Sequence, residues 1–557
     1  MNKVIKLSYL FIVLLCTGCD SLLDNDLETE LKPEQVYVNY DRMRSVANGA
    51  YTYLDIPAGF YHMGGSLRAT TTDEAVEASY NTQVQKFNLG IWNKFSNPDD
   101  VYNQCYEAIR QCNMFLENST DYKSILATDT VTATGKANYQ KYCDDINWYR
   151  HETRFLRAFY HFELVKRYGG IPLVKKVLNS KDNSKIPRST FSECVNYITE
   201  ELDDIKNNVV EDWLSINSAE RQGRVTKGAV LALKSRILLY AASLQNNPEK
   251  NREKWIIAAE AAREIIDMDK YSLYSNYQNL FLAPQSYNCS EIIMYYRYTN
   301  SNTLEKANYP IGTPGGKSGV SPSQNLVDAY EHLSGWDEKS PYQNIDPRLG
   351  MTIVLNNTSW NGRTIESYIG GKDGMDQKNA SPTGYYLKKF LSPNLDLAGS
   401  PEGVSMKAWI LFRYGEVLLN YAEAMNEAYG PATVPPNYKY SALQAINILR
   451  KRTGVALPEL TITDKDSFRE AIYRERRVEL AFEDHRMWDL RRWNKGSTLG
   501  DEIKGVEIIK DTDCNEFNYE YITVQKRIYD NSKMNLYPIP QSEINKYPDI
   551  LKQNPNW

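Results

Sequence analysis

Arg154-Phe155-Leu156-Arg157-Ala158-Phe159-Tyr160-His161-Phe162-Glu163-Leu164-Val165-Lys166-Arg167-Tyr168-Gly169-Gly170-Ile171-Pro172 reads as the last turns of a helix and its stop. Phe155, Phe159, Phe162 and Val165 recur at steps of three and four, which places them on one face of a helix running from Tyr149 to Tyr168. Gly169-Gly170-Ile171-Pro172 then ends it, because proline carries no amide hydrogen and clashes with the preceding turn. Ala158 and Phe162 reproduce the A-x₃-F fragment of the tetratricopeptide pattern, with Pro172 after the stop. Outward from this stretch, Thr226 to Leu244 is apolar nearly all round. Trp255, Ala259, Ala262 and Ile266 stripe a second helix after the Asn246-Asn247-Pro248 break, so the two predict a helical hairpin. Further on, Ile410, Tyr414, Val417, Tyr421 and Met425 predict one helix, Ser441 to Lys451 another and Asp466 to Glu483 a third. The expected fold is mostly α, a tetratricopeptide-like helical-hairpin scaffold in which each hairpin buries a face by stacking on the next.

Between Tyr271 and Lys407 the texture changes. Pro284, Pro310, Pro314, Pro322, Pro341, Pro347, Pro382, Pro393 and Pro401 fall among Gly, Asn, Ser and Tyr, which forbids long helices. An irregular region of this length inside a folded protein is usually functional. A second such region runs from Tyr61 to Asp100, with Gly64-Gly65, the run Thr70-Thr71-Thr72-Asp73-Glu74, and Tyr80, Phe87 and Trp92.

Composition narrows the function. The 557 residues are 42% hydrophobic, enough to bury a sizeable core, which argues against disorder. With 65 Lys and Arg against 70 Asp and Glu, no basic balance favours a polyanion, so nucleic acid is a poor expectation. The 41 Tyr, 10 Trp and 47 Asn supply flat faces and amides that suit a neutral polar ligand.

The N-terminus reads as an address. Lys3 and Lys6 precede an apolar stretch from Leu7 to Leu15 that is too short to span a bilayer, and Cys16-Thr17-Gly18-Cys19 follows. This looks like a bacterial lipoprotein signal at residues 1–18, with Cys19 the lipidated residue and 19–33 an acidic, polar tether. The C-x-x-C spelled by Cys16 and Cys19 ends a hydrophobic signal and is not read as a redox pair. The other cysteines, Cys105, Cys112, Cys143, Cys194, Cys289 and Cys514, are widely spaced and read as mostly buried thiols.

Several phrases in order along the chain resemble the SusD/RagB family of outer-membrane nutrient-binding lipoproteins of the Bacteroidetes type. They include Tyr102, Tyr106, Ile109 and Asn113 in one helix, Arg154 to Tyr160 leading to Tyr168-Gly169-Gly170-Ile171-Pro172, and Arg224-Val225-Thr226-Lys227-Gly228. In the second half come Asp346-Pro347-Arg348-Leu349, Phe412-Arg413-Tyr414-Gly415-Glu416 through Ala424, Arg474-Glu475-Arg476-Arg477-Val478-Glu479, Asp489-Leu490-Arg491-Arg492-Trp493 and Tyr537-Pro538-Ile539-Pro540. The resemblance implies a helical N-terminal region at 34–270 and a C-terminal region at 271–557, divided into loop-rich 271–407, helical 408–493 and a tail at 494–557. It also implies a surface-exposed, lipid-anchored protein that caps a separate SusC-like TonB-dependent transporter and hands it oligosaccharides, or in some members peptides.

The shared phrases read as structural. Arg474 to Glu479 alternates charge at helical spacing, which suits salt-bridged packing, as do Arg413, Glu416 and Glu423. Catalytic readings fare poorly. His151-Glu152 begins like a zinc-protease helix, but Phe155 stands where the second imidazole must be. Gly312-Thr313-Pro314-Gly315-Gly316-Lys317-Ser318 is one residue short of a phosphate loop, and Gly319 and Pro322 spoil the helix that should follow. A carboxylate pair for glycoside cleavage requires a separation across a cleft that sequence does not give. No catalytic residue, cofactor or metal site is expected.

A sugar site instead needs exposed aromatics, which stack on C–H faces, beside amides and carboxylates that pair with hydroxyls. On that ground the candidate ligand residues are Asp73, Tyr80, Asn81, Trp92, Asn93, Tyr287, Tyr298, Trp336, Asp337 and Trp360, with Arg68 a further polar partner. The expected function is glycan capture without chemistry; the rivals are peptide binding within the same fold and a tetratricopeptide-type scaffold for envelope assembly.

Overall fold

Thr132 accepts a hydrogen bond from the Gly135 amide and so starts a helix of 36 residues, Ala133–Tyr168. In this computed structural model, which describes residues 33–179, 186–216, 218–282, 289–511, 513–514 and 516–557, that helix is the longest. It ends where the glycine pair requires: Gly169 sits at φ +72 and its amide closes on the Val165 carbonyl. The helix begins well before Tyr149 because its polar first half has its own apolar partners. Cys143, Ile146 and Tyr149 pack with Tyr40, Met43 and Phe115 in a small core separate from the main one. The signal at 1–18, Cys19, the tether and Tyr287 lie outside the described residues, Pro33 apart.

Helices dominate the regular structure. We number the longer ones α1 (Tyr102–Asn118), α2 (Ala133–Tyr168), α3 (Phe191–Ile205), α4 (Lys227–Ala242), α5 (Arg252–Asp267), α6 (Tyr414–Tyr429), α7 (Ala442–Arg450) and α8 (Lys465–Glu479). From α1 to α7 each packs on the next, and α6 also holds α8. The hairpin expected from Thr226 to Ile266 is the α4–α5 pair. Capping boxes at Thr190 with Glu193, and at Ser441 with Gln444, fix where α3 and α7 begin. No helix among the described residues is long and apolar enough to cross a membrane.

One expected helix is corrected. Ile410 lies in a strand, Ala408–Arg413, and α6 starts only at Tyr414. The run Ala-Trp-Ile-Leu-Phe-Arg is buried throughout and pairs antiparallel with Ile292–Arg297. A continuous apolar run rich in bulky side chains is a buried-strand signal, and the four-residue step from Ile410 to Tyr414 was coincidence. Likewise α8 stops at Glu479 rather than Glu483, and the chain then turns through left-handed Phe482 and Asp484. The last part of the chain also holds a hairpin, Ile503–Lys510 with Phe517–Gln525.

The charged family phrases meet in the core. The Arg413 guanidinium donates to Glu291 at 2.8 Å, Glu479 at 2.9 Å and Glu483 at 2.7 Å. Arg348 holds Asp346, Glu475 and Glu479, and Arg452 holds Glu291 and Glu479. These neighbours keep the Glu479 carboxyl far below the ordinary range, Arg452 and Arg413 outweighing the cost of burial. The cysteines agree with expectation: Cys105, Cys112, Cys143 and Cys194 are buried free thiols, Cys289 is half-buried and Cys514 is exposed.

Candidate functional site

Two loop regions flank the helical frame, and one short ladder ties them together. Ala75–Glu77 pairs antiparallel with Val320–Pro322, so that Glu77 faces Val320. The Ala78 amide reaches the Gly319 carbonyl at 2.7 Å, and the Ser323 hydroxyl reaches the Asp73 carbonyl at 2.6 Å. Segments far apart in sequence thereby form one face.

The end of the strand Ile292–Arg297 delivers Tyr298, whose amide bonds the Lys407 carbonyl at 2.9 Å. Its ring meets Tyr61 edge to face at 6.1 Å, Phe60 at 5.4 Å and Tyr296 at 5.0 Å. Tyr61 and Tyr298 are half-buried and form a wall of an open cleft of about 310 Å³ with Asp55, His62, Asp100 and Gln104. Burial pushes the Asp55 and Asp100 carboxyls above the ordinary aspartate range, and raises the Tyr61 phenol to about 12.

The frame beneath is rigid and charged. Arg68 and Arg167 both donate to the Pro57 carbonyl, at 3.0 and 2.7 Å, pinning the backbone between Asp55 and Tyr61. Arg68 also holds Asp99, which touches His62 as well. Arg68, Lys166 and Arg167 all lie over the indole of Trp488, with centroid distances of 5.1, 4.5 and 4.8 Å. Burial, and then Arg68, hold the His62 pKa below its usual value, so the ring is neutral near pH 7. The cleft therefore offers two phenol rings, two carboxylates and one amide, with no cation among its lining residues.

The sequence-derived candidates scatter. Tyr298 is in the cleft, and Asn93 is exposed on an adjoining one. Tyr80 is 82% exposed and Trp336 54%, with Asp337 beside it turning its carboxylate onto the Lys339 amide. Trp92 is buried, stacked on Phe87 at 5.1 Å and closed in by Tyr537 and Trp557. Trp360 is 5% exposed and packs edge-on to Tyr309. Neither indole is open for a ring to stack upon. Asp73 is buried between Arg477 and Arg486, which hold its carboxyl well below the usual range despite burial, and Arg68 is buried likewise. Asn81 spends its amide on the chain, capping the short helix Thr82–Asn88 and bonding the Met63 and Gly64 carbonyls. The polar cleft residues that sequence reasoning missed are Asp55, His62 and Gln104. Tyr61 and Asp100, which bounded the expected loop region, reach the cleft, whereas most of its interior packs inward.

Two other cavities are each of about 290 Å³. One lies between α1 and the chain end and sets Tyr102, Tyr106 and Tyr547 and several aliphatic side chains beside Arg110, Lys176 and Glu543. The other is floored by Trp213 and Tyr295, both buried.

The cleft presents aromatic rings, carboxylates and an amide on a helical frame, groups that can pair with a polar ligand. The chain belongs to the SusD family: residues 290–557 match that family, and residues 45–239 match the family described as starch-binding associating with outer membrane. A SusD-like protein of Formosa agariphila, P38, is 25% identical, with 91% of this chain and 95% of the relative covered. A crystal structure of a SusD-like protein from Bacteroides fragilis superposes with a TM-score of 0.76 at 27% identity, covering 94% of this chain and 98% of that one. A laminarin binding SusD-like protein shares the fold at a TM-score of 0.63 and 20% identity, over 93% of this chain and all of the other. The family consists of non-catalytic binding proteins of the outer membrane, typically paired with SusC-type transporters, and this chain is accordingly a binding protein and not an enzyme.

Proposed function

We propose that this protein captures a glycan at the cell surface in the Tyr61–Tyr298 cleft and passes it unaltered to a SusC-like TonB-dependent transporter. The observation that carries the reading is the pairing of two half-buried phenol rings with Asp55, Asp100 and Gln104. Sugar C–H faces stack on the rings while carboxylates and amide accept or share hydroxyl hydrogens. The lipoprotein-like signal ending at Cys19 supports lipid anchoring in the outer membrane. The consecutive packing of α3 through α7 supports a tetratricopeptide-like frame that holds the loops in place. Tyr80, Trp336 and Asp337 remain exposed candidates for further ligand contacts.

Asp55 and Asp100 also favour a second reading, a basic peptide, since a carboxylate pair would hold a cationic side chain. Calorimetry and affinity electrophoresis of the soluble form lacking residues up to Cys19 decide between them, using starch, laminarin, xylan and mannan beside pools of basic and acidic peptides. Saturable binding of one glycan without product release supports capture. Binding of basic peptides alone supports the rival, and indifference to both rejects the cleft as a binding site.

A further inference from the structure

A cleft of about 310 Å³ stands at the low end of small-ligand sites, roughly 300–1,000 Å³, so a chain of sugars seated there has to leave it. Its wall at Asp100 is shared with a second cleft of about 200 Å³. That second cleft is rich in amides: Asn93, Asn97, Asn103 and Gln541 line it, with Phe95 and the prolines Pro538 and Pro540 as apolar faces.

Three details mark the second cleft as built for a ligand. The Asn97 side-chain nitrogen is buried without a hydrogen-bond partner, although its oxygen accepts from the Asp99 amide at 3.0 Å. An amide donor left unmet at a cleft is costly unless something fills the place. Phe95 is 77% exposed on a turn that is otherwise fixed, by the Asn93–Ser96 pairing and by the Gln541 amide on the Lys94 carbonyl at 2.9 Å. Asp100 itself is oriented by the Tyr168 hydroxyl at 2.6 Å and the Tyr102 amide at 2.9 Å, both on one carboxylate oxygen, so the other oxygen has no partner among the described residues.

We infer that the two clefts are successive parts of one groove, bridged at Asp100, and that the ligand is an extended, neutral glycan longer than either cleft alone accommodates. This rests on the glycan reading above. Neutrality follows from charge. The first cleft faces its ligand with Asp55 and Asp100, and the one cation among the residues lining the two clefts, Lys94, belongs to the second and lies 5.9 Å over the Phe95 ring. An acidic or sulfated chain would bring its charges against two carboxylates.

The test is calorimetry with malto-, laminari-, xylo- and manno-oligosaccharides from disaccharide to octasaccharide, and oligogalacturonate as the acidic counterpart. The expected result is an affinity that climbs with length in one neutral series and no binding of oligogalacturonate. Replacing Phe95→Ala and Asn103→Ala together, both on the surface, is expected to remove about tenfold of the affinity for the long chains and to leave the disaccharide unchanged, with the circular dichroism spectrum intact. Tyr298→Ala should weaken every length alike. Affinity independent of length, or long-chain binding indifferent to the Phe95/Asn103 pair, overturns the two-cleft groove while leaving capture standing. Binding of no oligosaccharide at any length overturns capture and the groove with it, and preference for oligogalacturonate overturns neutrality.

Discussion

The rings of Tyr61 and Tyr298 stand edge to face, 6.1 Å apart at 88°, although one belongs to the N-terminal loop region and the other to the end of a strand in the second half of the chain. The two regions meet where Phe60 packs against Tyr298, Phe390 and Trp409, while Arg68 and Arg167 fix the Pro57 carbonyl between Asp55 and Tyr61. Both rings are partly covered by protein and partly open, the state in which an aromatic has area left for a ligand. Tyr298→Ala is expected to lower affinity for the bound glycan about tenfold, near 1.4 kcal/mol, and Tyr61→Ala by a similar amount. Titration calorimetry checks both, and an unchanged dissociation constant in the double variant would remove the cleft from consideration.

Trp92 behaves oppositely. Its indole is packed between Phe87, Tyr537 and Trp557, so Trp92→Ala opens a cavity and is expected to cost about 3–5 kcal/mol of stability. Trp336→Ala, on an exposed loop, should shift stability by no more than about 0.5 kcal/mol. Urea denaturation of the two variants should separate them clearly; equal midpoints would mean the indole environments are not as described.

The contrast between these tryptophans marks how far the sequence reaches. Periodicity located most of the helices because a core-facing stripe is written in consecutive turns, as at Phe155, Phe159 and Phe162. It also marked Arg413, Glu475 and Glu479 as ion-paired, but their partners come from distant segments, Arg348 for Glu475 and Arg413 for Glu479, and not from the next turn of one helix. Strand Ala408–Arg413 was missed because a short buried apolar run has no period to read. The site was least legible. Whether a loop aromatic faces water depends on residues that cover it from elsewhere: Trp557 from the chain end covers Trp92, and Tyr309 covers Trp360. Asp73 looked like a polar loop residue until Arg477 and Arg486 arrived from the far end of the chain. Of the candidates in the described residues, Tyr298 lines the first cleft and Asn93 the second, brought there by tertiary contacts that no local pattern encodes.

Arg413 is the hub of the buried charge network, contacting Glu291, Glu479 and Glu483. Removing it leaves three carboxylates desolvated without their shared cation. Arg413→Met is therefore expected to destabilise by about 3–5 kcal/mol or to prevent folding, even though Met fills much of the same space. Pairing it with Glu479→Gln should recover part of the loss, because one uncompensated charge disappears while Arg452 keeps Glu291 and Arg348 keeps Asp346 and Glu475. Thermal unfolding of the single and double variants reads this directly, and a double variant less stable than the single would contradict the charge argument.

Glu74 lies 2% exposed beside Asp73, and burial, followed by the Asp73 charge, raises its pKa to about 8 from an ordinary 4.5. Between those two values the folded state holds a proton that the unfolded chain has released. Its contribution to stability is thus fully present below pH 4.5 and is lost as pH rises through 8. Glu74→Gln, which keeps the shape without the titration, should flatten this decline and be the more stable form at alkaline pH. Melting curves of the two proteins across this window should diverge steadily as pH rises; parallel curves would show that Glu74 is ionised in both states.

Asp55 and Asp100 carry the same logic to the ligand. Burial raises both carboxyls above the usual aspartate value, so they take up protons at a higher pH than exposed carboxylates do. An ionised carboxylate accepts hydrogen bonds from several sugar hydroxyls, whereas the protonated group gives up part of that capacity to its own hydrogen. Glycan affinity is therefore expected to be full near neutrality and to fall on acidification, with a midpoint above that of an ordinary aspartate. Asp55→Asn should weaken binding near neutral pH, where the charged acceptor is lost, and make the remaining affinity less sensitive to acid. Asp100→Asn should do the same, and because Asp100 lines both clefts its effect on long oligosaccharides should exceed its effect on short ones. Calorimetry of both variants across the acidic range decides the matter: a wild-type affinity flat down to the ordinary aspartate range would mean that neither carboxylate touches the ligand.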